Sequence, residues 1–167
     1  MVTPTYCVAM AAYGVAMNRD LYAAADALGE EGRRADRGAF WRSVHGTLVH
    51  LAWADAMWMS RLDGWERPAT PLAESDRHVE DWGALRALRA EQDARIAAWA
   101  ARVDPDWLAG DLTWYSGSAR REMTRPVGLV VAHMFNHATH HRGQVHAMLT
   151  AAGARPGPTD LVMLVGG

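Results

Sequence analysis

A chain of 167 residues, half of them apolar and 22% charged, is long enough for one packed core and too short for two comfortable ones. It reads as a single globular domain over residues 1–167 and not as a disordered tract. A formal charge of −2 offers no basic field to nucleic acid or an anionic membrane surface. The lone cysteine, Cys7, excludes an intrachain disulfide and a thiolate metal cluster, which fits a reducing cytoplasm.

No apolar run reaches the eighteen or so residues of a membrane span, and no charged region precedes the apolar start as in a secretion signal. Every basic side chain is arginine and alanine is abundant, a codon pattern of GC-rich bacterial genomes that carries no mechanism. The first predicted helix runs from about Thr5 to Leu28, with Met10, Tyr13, Met17, Leu21 and Ala24 at steps of three and four; GEEGRRADRG ends it. The second runs from about Phe40 to Leu62 and closes at DGWERPATP. A third begins near Val79, traces Leu85, Leu88, Gln92, Ile96 and Trp99 along one face with arginines on the other, and stops at Asp104–Pro105.

Residues 106–125 alternate and contain glycines, so extended or irregular chain is expected there. The fourth helix opens at Pro126, a favoured first-turn residue, and ends at Gly153. The tail, GARPGPTDLVMLVGG, is expected to pack across the helix ends or against a partner chain. Helices of this length, each roughly 30–36 Å long, predict an all-α fold: a four-helix up-and-down bundle with a short irregular segment before the last helix.

The fourth helix poses the chemical question, because HMFNHATHHRGQ places four histidines between two apolar runs. At about 100° per residue, with His133 at zero, His137 falls at about 40°, His141 at about 80°, Gln144 at about 20° and His140 at about 340°. They share one stripe on an otherwise apolar helix, so the stripe is expected to face inward. Each unpartnered buried imidazole costs about 1–3 kcal/mol, and a bound cation removes that cost.

His137 and His141, one turn apart, have the reach to chelate one ion, but a third ligand must come from elsewhere. The second helix offers His45 and His50, about 140° apart, so only one of them faces a given cavity. His50 is preferred because Ser43, Gly46, Thr47 and Ala54 on its face leave space for an open site; His45 would bring Ala52 and Asp55 instead. Gln144 is placed to bond a ligand imidazole or a metal-bound water, and Arg142 to pair with a buried carboxylate, Asp55.

The remaining residues receive plainer readings. His133 has a pocket or interface role, His140 points to a neighbouring helix, and His45 and His78 are surface or structural. Trp53 and Trp58 flank the His50 turn, one of them walling a pocket that Tyr13 or Tyr22 reaches from the first helix. Cys7 is a small buried apolar group. Arg120, Arg121 and Arg125, after Trp114 and Tyr115, are solvated or grip an anionic substrate at the bundle mouth.

HLAWADAMWMSRL in the second helix together with NHATHHRGQ in the fourth resembles the DinB/YfiT-like superfamily, over nearly the whole chain. The resemblance implies a four-helix bundle, often a homodimer, in which one helix-two histidine and the two of HxxxHRGQ form a facial three-nitrogen metal site. Those positions fall on His50, His137 and His141. It also implies relatives that include thiol-dependent S-transferases and a mycothiol-dependent maleylpyruvate isomerase.

Three neutral imidazoles leave a divalent ion, zinc or nickel first, with its charge intact and a position open. Activated water there means hydrolysis; a bound low-molecular-weight thiol means S-transfer or isomerisation. No carboxylate stands beside the ligands, unlike HExxH, where the base is built into the ligand helix, and this favours thiol chemistry on a small-molecule substrate. The reading from another class is a non-catalytic dimeric metal-binding or stress-response module whose ion only joins helices two and four.

Overall fold

Capping chemistry decides where the long helices begin. In the computed structural model, which describes residues 2–165, Thr3 accepts a hydrogen bond from the Tyr6 amide and Pro4 fills the first turn of α1 (Pro4–Asp26). A short α2 (Gly29–Arg34) lies within the segment expected only to end the first helix. Ser43 Oγ accepts from the Gly46 amide at 3.0 Å and starts α3 (Val44–Leu62).

The predicted start at Phe40 is therefore four residues early: Ala39 and Arg42 form a bridge, Arg42 takes a φ of 65°, and Phe40 is exposed. A 3-10 turn over Leu72–Arg77 follows, and Asp81, accepting from the Ala84 amide, starts α4 (Trp82–Ala100) three residues after the predicted Val79. The one-turn α5 (Pro105–Leu108) leads into the segment expected to be irregular. It forms an antiparallel hairpin, β1 (Asp111–Ser116) with β2 (Arg121–Pro126), Trp114 opposite Met123.

Helix α6 (Val127–Ala151) follows at once, and Gly153, at φ +84°, turns the chain into a tail that ends in α7 (Leu161–Leu164). Met1 and the closing Gly166 and Gly167 of the tail lie outside the described residues. The tail folds back on α1, where the Tyr13 hydroxyl donates to the Thr159 carbonyl at 2.8 Å.

The chain is thus mostly helical with one two-stranded sheet. Helices α1 and α3 each pack against both α4 and α6, and Leu21, Leu48, Leu85, Trp99, Met134 and Leu149 fill the space between them. A buried polar layer crosses this core. Arg89 Nη1 donates to Asp55 Oδ2 at 2.7 Å, Arg89 Nη2 stands 3.0 Å from Asp93 Oδ1, and Asn18 Nδ2 donates to Asp93 at 2.9 Å.

Arg89 was expected on the solvent face of its helix, yet it is only 3% exposed. It stands about 40° from Leu85 and so belongs to the apolar stripe. Burial disfavours its charge, and Asp55 and Asp93 more than offset this, holding the guanidinium above its ordinary range.

Candidate metal centre

Helices α3 and α6 meet along a line of aromatic and imidazole rings. His50 lies 4.7 Å from His141 and 5.4 Å from His137, ring centre to ring centre, while Trp58, further along α3, lies 4.9 Å from His133, further back on α6. The two helices therefore run antiparallel, and steps of about one turn on each bring the stripes into register.

His50, His137 and His141 each offer one nitrogen, all within 4.8 Å of one another; among the described residues no cysteine or carboxylate joins them. His137 Nε2 and His141 Nε2 are 3.1 Å apart. An ion with bonds of about 2.0–2.1 Å to both would hold two nitrogens at roughly 3.0–3.4 Å, so the donor set fits a divalent cation.

Hydrogen bonding fixes which nitrogen faces the site. The Ser75 hydroxyl donates its only proton to the Leu72 carbonyl at 2.7 Å, so at 2.8 Å from His50 Nδ1 it must accept. That places the His50 proton on Nδ1 and leaves the Nε2 lone pair free. Gln144 Oε1, 2.8 Å from His141 Nδ1, imposes the same tautomer there.

His50 is further held between indoles, with Trp41 stacked at 4.2 Å and Trp53 at 6.0 Å. Gly46 permits this approach: a Cβ there would lie 2.6 Å from the Trp41 carbonyl oxygen, closer than any side chain tolerates. Ser75 and Trp41 were not anticipated from the sequence. Both reach His50 from loops that carry no periodicity.

A cavity of about 810 Å³ opens over the site, with His50 and His137 on its floor, Trp53, Trp58 and Trp114 as walls, and the hairpin turn at Ser116–Ser118 along one edge. Both tryptophans expected near His50 line it; neither Tyr13 nor Tyr22 does, the first being spent on Thr159 and the second stacked on Trp82. His133 lines the cavity one turn from His137.

His140 is exposed and faces no neighbouring helix, contrary to expectation, while His45 is buried near Trp82 and His78 bonds Thr70. Of the three expected outer groups, only Gln144 bonds a ligand candidate. Asp55 pairs with Arg89, not with Arg142; Arg142 lies buried over the Tyr13 ring at 5.5 Å, with no hydrogen bond to either Asp55 or a site histidine. The expected pairing overlooked α4, which delivers a guanidinium to Asp55 first. Cys7 is fully buried and burial pushes its thiol up to about 11, which leaves it unreactive.

The DinB family model matches residues 1–165. The chain belongs to the DinB family. Comparison with curated proteins and with solved structures gives no match. Among the described residues no helix is long and apolar enough to cross a membrane. For a DinB-family chain the three-histidine cluster between α3 and α6 is compatible with metal binding.

Electrostatics keep these imidazoles neutral. Burial, then the nearby His141 and His137, push His50 down to about 3; burial, then His141, push His137 down to about 4; burial lowers His141 too, with the Gln144 bond opposing. Neutral imidazole is the ligating form.

The same shifts predict how metal-free protein responds to acid. Unfolded histidines titrate near 6.5, so between about pH 6.5 and about pH 4 the unfolded chain binds more protons than the folded one. Stability contributed by these groups is complete above that window and is lost as pH falls through it. The denaturant midpoint of chelated protein is expected to drop measurably between about pH 7 and about pH 5. A flat profile would contradict neutral buried imidazoles.

Proposed function

We infer that the protein is a divalent-metal-dependent enzyme in which His50, His137 and His141 hold zinc or nickel. Its reaction is transfer or isomerisation with a low-molecular-weight thiol, or hydrolysis by activated water, on a small molecule. The observation that carries this reading is that two of the three clustered imidazoles, His50 and His137, lie on the floor of an open cavity of about 810 Å³. Catalytic sites keep a coordination position accessible, whereas structural zinc sites are closed by protein ligands. A metal that merely joined α3 to α6 would need no such opening.

A divalent ion bound there supplies Lewis acidity, lowering the pKa of a water or thiol that reaches it. The chain's own residues do the rest. Ser75 and Gln144 hold the His50 and His141 protons on Nδ1 and leave both Nε2 lone pairs free for the ion the three imidazoles would share. Three indoles exclude water from its flanks. No carboxylate lines it, so the carboxylate base common in hydrolytic metal sites is missing, which favours the thiol reaction. His133, shifted below its ordinary range by partial desolvation and then by the charge of Arg61, is the lining imidazole left to accept a proton.

The architecture that accompanies this reading is the four-helix bundle of DinB type, in one domain over residues 1–167, located in the cytoplasm. A homodimer is carried on the same footing, supported by exposed Val8 and Val15 on one face of α1 and by Val162 and Met163 of the tail.

Elemental analysis of protein purified without added metal, with thermal melts before and after chelation, tests the reading. About one equivalent of metal and a melting point within a few degrees after its removal are expected. Unfolding on chelation would replace the enzyme by a structural metal module, and no uptake of zinc or nickel would remove both. Ser75→Ala is expected to weaken zinc binding by about 10–100-fold in chelator competition while leaving the stoichiometry at saturation unchanged.

A further inference from the structure

Two arginines in the same cavity belong neither to the histidine cluster nor to any ion pair among the described residues. Arg61 stands on the His50 face of α3, about 16 Å further along the helix, and helical side chains lean toward the N-terminus, so its guanidinium faces down the cavity. It lies over Trp58 at 4.5 Å and over Trp114 of the hairpin at 5.6 Å. Arg67, from the loop after α3, lines the same mouth.

No carboxylate among the described residues pairs with either guanidinium, and none lines the cavity. Burial, and the like charge of Arg67, push Arg61 below its ordinary range. Arg89, taken out of water in the core, stands beside Asp55 and Asp93, whereas Arg61 and Arg67 line a cavity that a ligand can enter. Two cations left together at the rim of an apolar, indole-walled cavity form a field without its counter-charge, and an arriving anion would supply it.

We propose that the cavity binds an organic carboxylate with a flat apolar body, the acid group gripped by Arg61 and Arg67 at the mouth and the body lying against the wall formed by Trp53, Trp58 and Trp114, toward the histidine floor. The carboxylate matches the planar guanidinium fork, and the cavity volume falls in the range that encloses a small molecule. This rests on reading the cavity as the substrate site, and it assigns that site a substrate class.

The test is isothermal titration of the full-length chain with 2-naphthoate and with its neutral counterpart 2-naphthylmethanol, after chelation and again with zinc restored. Chelated protein is expected to bind the acid at least about tenfold more tightly than the alcohol. Arg67→Met, at an exposed position, and Arg61→Met, which keeps an apolar stem against Trp58, are each expected to lower the acid's affinity at least about fivefold and to leave the alcohol's unchanged.

Loss of acid selectivity in even one variant supports the proposal and names the gripping residue. Equal binding of acid and alcohol by the wild type, no binding of either, or an unaltered ratio in both variants overturns it. Because selectivity is read on chelated protein, failure of the three histidines to take metal leaves this result standing, and failure here leaves the metal stoichiometry standing.

Discussion

Protein carrying His137→Ala is expected to bind neither zinc nor nickel when purified, to lose any metal-dependent turnover, and to remain folded. His137 Nε2 lies 3.1 Å from His141 Nε2 and its ring shares the cavity floor with His50, so its removal takes away one of the three nitrogens and leaves only His50 and His141. Loss of a partner behind a ligand costs about 10–100-fold in affinity; loss of the ligand itself costs more than that. The fold is expected to survive because His137 belongs to no part of the hydrophobic core and its ring is only half buried. His140→Ala is the stringent control: its ring is 5.1 Å from that of His141, but it is exposed, and metal content should be unchanged. Elemental analysis of both variants decides the matter. A full equivalent of metal in His137→Ala would exclude this nitrogen as a ligand.

What made this site legible was angular arithmetic on two helices. His137 and His141 are one turn apart, His45 and His50 point about 140° apart, and small neighbours favoured His50; the structure brings that trio together. Ser75 escaped because its link to His50 spans 25 residues and starts from a 3-10 turn with no periodic signal. Partner choice escaped for a related reason. Helical angles show that Asp55 and Arg142 both face inward but not which helix reaches Asp55 first, and Arg89 was misplaced by grouping the α4 arginines together.

Element boundaries failed where apolar identity was weighed above capping: Phe40 and Trp41 look like a helix start, but Ser43 supplies the oxygen that caps one. The hairpin was half visible. Alternation along Leu112, Trp114 and Ser116 suggested extended chain, while its pairing with Arg121–Pro126 depends on a turn that carries none of the strongest hairpin signals.

Asp55→Ala is expected to be the most destabilising single change in the buried polar layer, by about 3–5 kcal/mol, since it breaks a buried ion pair and leaves two buried guanidiniums, Arg89 and Arg142, to share the charge of Asp93 alone. Asp55 is 5% exposed and bonds Arg89 at 2.7 Å, while Arg142, itself pushed below its ordinary range by burial, is held up by the charge of Asp55. Two guanidiniums from two helices thus draw on the charge of a carboxylate from a third, with Asp93 as the second.

For a chain of this size such a loss corresponds to a melting point lower by roughly 6–20 °C. Glu91→Ala, which breaks the exposed pair with Arg95 one turn away on α4, should cost no more than about 0.5 kcal/mol. Asp55 stands about 140° around α3 from His50, so the folded fraction of Asp55→Ala at low temperature should still take one equivalent of zinc. Lost metal with full stability would mean that Asp55 acts on the histidines; lost stability with metal retained would establish that α3 uses one face for chemistry and the opposite face to lock α4 and α6 in place.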